Sequence, residues 1–350
     1  MKYNLSLKHL FIITLYGLVG CGNPTDSEIV VNFYHWRRHW AIDSIEKQYV
    51  EKLASQRLYV HFFDVDWHFE KKEATPIAPL YANKQSNDFQ LGVKIIPVIF
   101  ITNRTMEHIN SSAIESLAIR IQKQIESIHQ KYFYASEIVE IQLDCDWSLG
   151  TKEKFFALLK AIKKQNSPKI LLSATIRLHQ IKYNHLTGVP PIDKGVLMCY
   201  NVGKIDGSNT ENSILDPQIV SQYIDKLAQY PLPLAIALPI YNWAVVKRRG
   251  QVVALLNHLT AKEFETPYYK KIATNEYEVT KSHYLAGEYL YQQDKIRLEI
   301  ITYPLLENTI DILKRKITTQ PLEVIYYHLD SENFKHFSYE DLQTLAHRFH

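Results

Sequence analysis

The sequence predicts an α/β fold: a (β/α)8 barrel of the TIM type, with a small β-rich insertion between strands seven and eight. Three observations carry that expectation. Eight short apolar runs recur along the chain, and most are continuous rather than alternating, the pattern of parallel strands covered on both faces. Segments of helical period lie between several of them. Polar and aromatic residues fall just after the runs, at the strand ends where such barrels assemble their sites. The main rival is an open doubly wound sheet, which the same alternation builds.

Residues 1–20 precede the expected fold. Lys2 and Lys8 give a positive start, and residues 10–20 form a short apolar stretch. Leu18-Val19-Gly20-Cys21 then resembles the bacterial lipobox, at which a signal peptidase cuts before the cysteine and lipid joins its sulfur. The stretch is too short to be a permanent membrane span. Residues 21–28 read as a polar tether. The expected mature protein starts at Cys21, the lipid-attachment residue, and hangs from a membrane of the bacterial cell envelope on its exported face, periplasmic or surface.

Residues 29–350 remain for the barrel, with the insertion at about 244–302. The strand runs are 29–34, 58–63, 94–101, 138–143, 169–176, 195–199, 234–238 and 322–327. Between the first two, residues 42–55 place Ile45, Tyr49, Val50 and Leu53 on one helical face. Residues 112–130 repeat Ile114, Leu117, Ile121, Ile125 and Ile128 at helical spacing, and 152–164 carry Phe155, Phe156, Leu159 and Ile162. Asp216-Pro217 is a cap followed by proline at the first helical position. Residues 305–317 read as another helix, and Ser338-Tyr339-Glu340-Asp341 as the capping box of the last one. Residues 70–92 show little helical period, and 179–194 read as a loop with at most a short helix. Strand-like pieces at 251–256, 276–279 and 295–301 give the insertion its antiparallel character.

Composition narrows the function. A net charge of +3 over 350 residues makes no electrostatic case for nucleic acid, and a monomer is expected. Of three cysteines, Cys21 is assigned to lipid; Cys145 and Cys199 lie in strand runs and are expected as buried thiols without a disulfide. No Cys/His spacing resembles a zinc site, and no metal or cofactor is called for. The 23 tyrosines suit contact with ligands that are polar at their edges and apolar on their faces, sugars included.

One phrase occurs twice: Phe63-Asp64-Val65-Asp66-Trp67 after the second run and Leu143-Asp144-Cys145-Asp146-Trp147 after the fourth. Residues two apart on a strand share a face, so each copy aims two carboxylates the same way, with a Trp beside them. Two inward carboxylates repel, which raises one pKa and holds a proton for acid–base work. Such pairs beside aromatic rings are what sugar cleavage requires. The other strand ends add His35, Trp36, Arg37 and Arg38; Thr175 and Arg177; Tyr200 and Asn201; Tyr241, Asn242 and Trp243; and Tyr326, Tyr327, His328 and Asp330. The expected catalytic set is Asp64, Asp66, Asp144, Asp146 and Tyr200; the expected substrate contacts are Trp36, Arg37, Trp67, Trp147, Asn201, Tyr241, Trp243 and Tyr326.

On these residues the chain resembles the family-18 glycoside hydrolases, the chitinase group. Leu143-Asp144-Cys145-Asp146-Trp147-Ser148 is similar to that family's strand-four motif Asp-x-Asp-x-Glu. Met198-Cys199-Tyr200-Asn201 resembles its strand-six Met-x-Tyr-Asp, and Leu238-Pro239-Ile240-Tyr241 its strand-seven apolar-Pro-aromatic-Tyr. The chain also looks like a group of bacterial lipoproteins related to glycosidase barrels. The resemblance implies that Asp146 orients the substrate's acetamido group with help from Tyr200. It also exposes two departures: Ser148 stands where the family has its acid, and Asn201 where it has Asp. The resemblance therefore implies a sugar-binding barrel more firmly than a chitinase.

Three functions follow as expectations. The first is a glycoside hydrolase-like protein acting on a poly- or oligosaccharide, with Asp146 or Asp66 as acid and Asp144 as base or charge stabiliser. The second is a non-catalytic glycan-binding lipoprotein, favoured by Ser148. The third is an interaction scaffold whose mouth the insertion blocks.

Overall fold

The computed structural model describes residues 29–82, 91–207, 210–317 and 322–350. The expected leader, the expected tether and Cys21 lie outside the described residues. Eight parallel strands close a barrel: β1 (Ile29–His35), β2 (Arg57–His68), β3 (Lys94–Ile101), β4 (Glu140–Asp144), β5 (Leu171–Arg177), β6 (Lys194–Met198), β7 (Leu234–Pro239) and β8 (Leu322–Tyr327). The β1–β2 pairing (Phe33 opposite Leu58) and the β1–β8 pairing (Ile29 opposite Leu322) complete the ring. The eight runs read from the sequence are these strands, and the closed ring excludes the open sheet.

The helices form the outer jacket: α1 (Ser44–Lys52), α2 (Asn103–His108), α3 (Ile114–Tyr132), α4 (Lys152–Gln165), α5 (Leu178–Lys182), α6 (Asn184–Thr187), α7 (Pro217–Tyr223), α8 (Tyr303–Lys314) and α9 (Tyr339–His347). Asp43 and Glu46 close a capping box at α1, and Ser338 with Asp341 closes one at α9, each satisfying amides that the first turn leaves unpaired. On α3 the five isoleucine and leucine positions at helical spacing are all buried against the barrel. On α1, Tyr49, Val50 and Leu53 are buried but Ile45 is exposed, because it sits at the helix start, outside the buried stripe. No crossover helix is seen in the described part of the β2–β3 connection. Instead β2 runs on past the barrel and pairs antiparallel with Glu73–Ile77.

The insertion is a five-stranded antiparallel sheet in the order Gln251–Asn257, Trp243–Arg248, Lys295–Glu299, Glu276–Val279, Tyr269–Ala273, with a hairpin of His283–Leu285 and Glu288–Leu290. It has its own core, including Val246, Leu256, Phe264, Tyr277 and Leu298. Its first strand starts four residues after β7 ends, so it stands over the barrel's C-terminal rim.

The barrel floor is polar. Lys194 Nζ lies 2.8 Å from Glu140 Oε2 and 2.9 Å from Glu323 Oε2, and donates to the Tyr59 hydroxyl at 2.8 Å. Asn32 and Arg57 add donors to Glu323 at 2.7 and 3.3 Å. All six come from the N-terminal halves of β1, β2, β4, β6 and β8, the end of the barrel that serves stability. Cys145 and Cys199 are buried free thiols.

Candidate functional site

The site follows from strand parity. Along β4, Glu140, Gln142 and Asp144 face the barrel interior: Glu140 meets Lys194, Gln142 Oε1 accepts from the Tyr34 hydroxyl at 2.7 Å, and Asp144 Oδ1 accepts from the Thr175 hydroxyl at 2.6 Å. Asp144 is 5% exposed. Burial pushes its pKa up to about 6, and repulsion from Asp146 adds to this; Arg177, Thr175 and His61 pull the other way. At that value it holds a proton for part of the range near neutrality.

The other three aspartates are engaged. Asp146 is gripped by the fork of Arg177 on β5, with Nε at 2.5 Å and Nη2 at 2.8 Å. Against the cost of burial, Asp146 raises the pKa of that guanidinium further, so it stays a fixed cation. On β2 the ladder slips between His61 and Phe63. Past the slip, Asp64 lies with its Oδ1 2.7 Å from His61 Nε2. Asp66 accepts from the Thr102 hydroxyl and the Trp67 amide, each at 2.8 Å, and from the fork of Arg104. Burial favours its neutral form, but these donors outweigh it and hold the carboxyl below the usual range. An ionised, fully bonded Asp66 is a poor proton donor.

Beside Asp144 stands a cluster of rings centred on Tyr327. Its centroid lies 4.8 Å from Tyr200, 5.6 Å from Tyr241, and 5.7 Å from each of Tyr34 and Trp36. Trp243 packs edge-on to Tyr241 at 5.5 Å, and its Nε1 donates to the buried Glu299 at 2.7 Å. Glu299 also binds Ser213 and Arg297, which locks the insertion to the loop after β6. Asn201 accepts from the Tyr241 hydroxyl at 2.6 Å. Burial raises the pKa of Tyr200, Tyr241 and Tyr327, so all three keep their protons as donors.

Trp36, Asn201, Tyr241, Trp243 and Tyr327 wall a cleft of about 450 Å³ between barrel mouth and insertion, whereas Asp64, Asp66, Asp144, Asp146 and Tyr200 are not among its lining residues. Of the expected contacts, Trp36, Arg37, Asn201, Tyr241 and Trp243 line it. The insertion adds Leu255, Asn257 and His258, and β8 adds Tyr327 with His328 and Asp330 beyond it. The volume and the mix of aromatic walls with a few polar groups are those of a small-ligand site.

Two expected contacts are corrected. Trp147 is 1% exposed; its Nε1 donates to the Thr187 carbonyl at 3.0 Å and its ring stacks on Phe155. It follows Asp146 by one residue, and that single step turns it into the helical jacket. Tyr326 is fully buried with its hydroxyl donating to the Leu342 carbonyl of α9 at 2.7 Å, so Tyr327, its neighbour of opposite parity, takes the place in the cleft. Trp67 stays half-buried on the β2 extension, stacked on His108 at 5.7 Å and apart from the cleft walls. Ser148 begins the turn into α4, its amide donating to the Thr151 hydroxyl at 2.8 Å. The sequence places Thr175, Arg177 and Tyr327 at strand ends without assigning them to the site; His61 and the insertion's wall it does not single out. The signal for Tyr327 was its parity with Glu323, which the barrel floor claims.

The closed eight-stranded parallel barrel with its helical jacket is a fold of the (β/α)8 TIM-barrel class. Within that class the solved structures it resembles are chitinases of family 18 and related lytic enzymes. The C-terminal domain of a putative chitinase from Desulfitobacterium hafniense superposes with a TM-score of 0.56 at 12% identity, over 92% of this chain and 99% of that one. A family GH18 chitinase from Cycas revoluta, solved with (GlcNAc)4, gives 0.55 at 12%, over 91% and 99%. The spore cortex-lytic enzyme SleL of Bacillus cereus gives 0.54 at 12%, over 93% and 75%. At such identities the likeness establishes the fold. No family model and no curated protein sequence matches the chain.

Proposed function

We propose that this protein captures a glycan in the cleft between barrel mouth and insertion, as a lipid-anchored protein of the bacterial cell envelope. The observation that carries the reading is the convergence of Trp36, Tyr241, Trp243 and Tyr327 on one cleft with Asn201 and Asn242 among them. Sugar rings offer apolar faces to such walls and hydroxyls to such amides. The fold's likeness to chitinases supports the same ligand class. Ser148 at the acid's place, with Asp66 and Asp146 held in arginine forks, favours binding without turnover.

Hydrolysis is the second reading, favoured by one observation: burial raises Asp144 to about 6, which suits it to hold a proton near neutrality. A screen of the full chain in detergent on a glycan panel, scoring binding and released reducing ends, separates the two. Binding without new reducing ends supports capture. Release that vanishes in Asp144→Asn supports hydrolysis instead. Binding to no glycan overturns both.

The anchor rests on Leu18-Val19-Gly20-Cys21. Cys21→Ala is expected to move the protein out of the membrane fraction. Retention in that fraction, with no acyl mass on the Cys21 peptide of the unaltered protein, would overturn the anchor.

A further inference from the structure

A second groove lies on the insertion, away from the cleft. The strand Trp243–Arg248 leads from one to the other in five residue steps, about 17 Å. The groove, about 730 Å³, sits between the tight turn at Arg249-Gly250 and the loop 291–295. Four cationic side chains line it, Lys247, Arg248, Arg249 and Lys295, against one carboxylate, Asp294.

That carboxylate is already used. Asp294 is 1% exposed, and both its oxygens take the fork of Arg248, at 2.9 Å from Nε and 2.8 Å from Nη2. It also accepts from the Tyr291 amide at 2.8 Å. The buried acid therefore fixes the Arg248 guanidinium over the Tyr291 ring, 4.2 Å from its centroid. Lys247 donates to the Asp206 and Gly207 carbonyls and lies within the field of Asp206, Glu276 and Glu299, so the free positive charge rests on Arg249 and Lys295. Arg249 and Lys295 form no ion pair among the described residues. The groove thus carries a positive excess on a rigid frame.

A run of exposed tyrosines extends from it. Tyr291 meets Tyr289 edge-on at 4.9 Å, and Tyr289 meets Tyr284 at 4.9 Å. Their exposures are 50, 40 and 73%, high for rings in mutual contact. Three linked phenols beside a cationic groove match a polymer that alternates ring faces with negative charges. A membrane surface fits less well: the groove is concave, and its tip carries tyrosines and the amides Gln292 and Gln293 rather than an apolar wedge.

We propose that this groove and its tyrosine run bind an acidic polysaccharide, a chain whose sugars bear carboxylate or phosphate groups, independently of the barrel cleft. Arg249, Lys295 and the Arg248 fork meet the anions, and Tyr284, Tyr289 and Tyr291 meet the ring faces.

The test is affinity electrophoresis of the full chain in detergent through gels containing polygalacturonate, a polymer of phosphorylated sugars, or neutral dextran. Retardation by an acidic polymer and not by dextran is expected, weakening as salt rises from about 50 to about 200 mM. Arg249→Ala/Lys295→Ala should weaken it roughly tenfold. Tyr284→Ala/Tyr289→Ala should weaken it severalfold while keeping the salt dependence. Asp144→Asn, inside the barrel, and Trp36→Ala, in the cleft wall, should leave it unchanged. Retardation by neither acidic polymer, equal retardation by dextran, or loss in the cleft variants rather than the groove variants would overturn the proposal. So would cosedimentation with phosphatidylglycerol vesicles, by the chain with Cys21→Ala, that the groove variants abolish while polymer binding is absent.

Discussion

Replacing Asp144 by Asn should change how stability depends on pH, by an amount the burial of this carboxyl sets. Its pKa rises from 3.8 to about 6 on folding, chiefly because burial disfavours the charged form. Two units correspond to about 3 kcal/mol. A folded-state pKa above the unfolded value means that the contribution is full below about pH 4 and is lost as pH rises through 6. The unaltered protein thus carries a buried charge at pH 8 that Asp144→Asn does not. The stability difference between the two should shift by about 3 kcal/mol in favour of the variant between pH 4 and pH 8, or roughly 4–5 °C in Tm for a chain of this size. Glu46, raised to about 7 first by burial, titrates in the same window in both proteins and cancels in the difference. Urea titrations of both proteins at several pH values measure the shift directly. A difference that stays constant across the range would refute a neutral, buried Asp144.

Three further outcomes are expected. Lys194→Met leaves Glu140 buried without its cation and should cost about 3–5 kcal/mol by urea denaturation. Burial raises the pKa of Glu323, but Lys194 and its other donors depress it more. The Lys194 contribution is therefore present above about pH 4.3 and fades as pH falls through the folded value, so the penalty should shrink in acid. Trp147→Ala should cost about 3–5 kcal/mol of stability, since its ring fills the jacket, and leave glycan affinity intact once the protein is folded. Trp36→Ala should do the reverse: a roughly tenfold loss of glycan affinity in titration calorimetry, with a smaller change in Tm.

The fold was legible because it rests on many weak, repeated signals. Eight apolar runs read as buried parallel strands interleaved with helices, and the pairing of the first run with both the second and the last closes them into a barrel rather than an open sheet. The site was legible in part. Asp144 and Asp146 were found because they share a motif on one strand, whereas their partners Thr175 and Arg177 come from the next strand, a pairing that depends on register. Trp147 was misplaced by reading it together with its neighbours rather than by parity, and Tyr326 for the same reason. Parity itself was not enough on β2. Alternation from Tyr59 and His61 would have placed Phe63 and Val65 inside, and the slip after His61 reverses it. The insertion's share of the cleft, Leu255, Asn257 and His258, depends on how the inserted sheet is docked, which Glu299 fixes through contacts from 56 and 86 residues away.

The central claim is that rings around Tyr327 hold a sugar. The most direct measurement is calorimetric titration of the full chain with (GlcNAc)4 and then with each ligand found on the panel, alongside Tyr327→Ala. The account predicts saturable binding of at least one oligosaccharide, lost in Tyr327→Ala while the fold, judged by circular dichroism, persists. Binding that Tyr327→Ala leaves unchanged would contradict it.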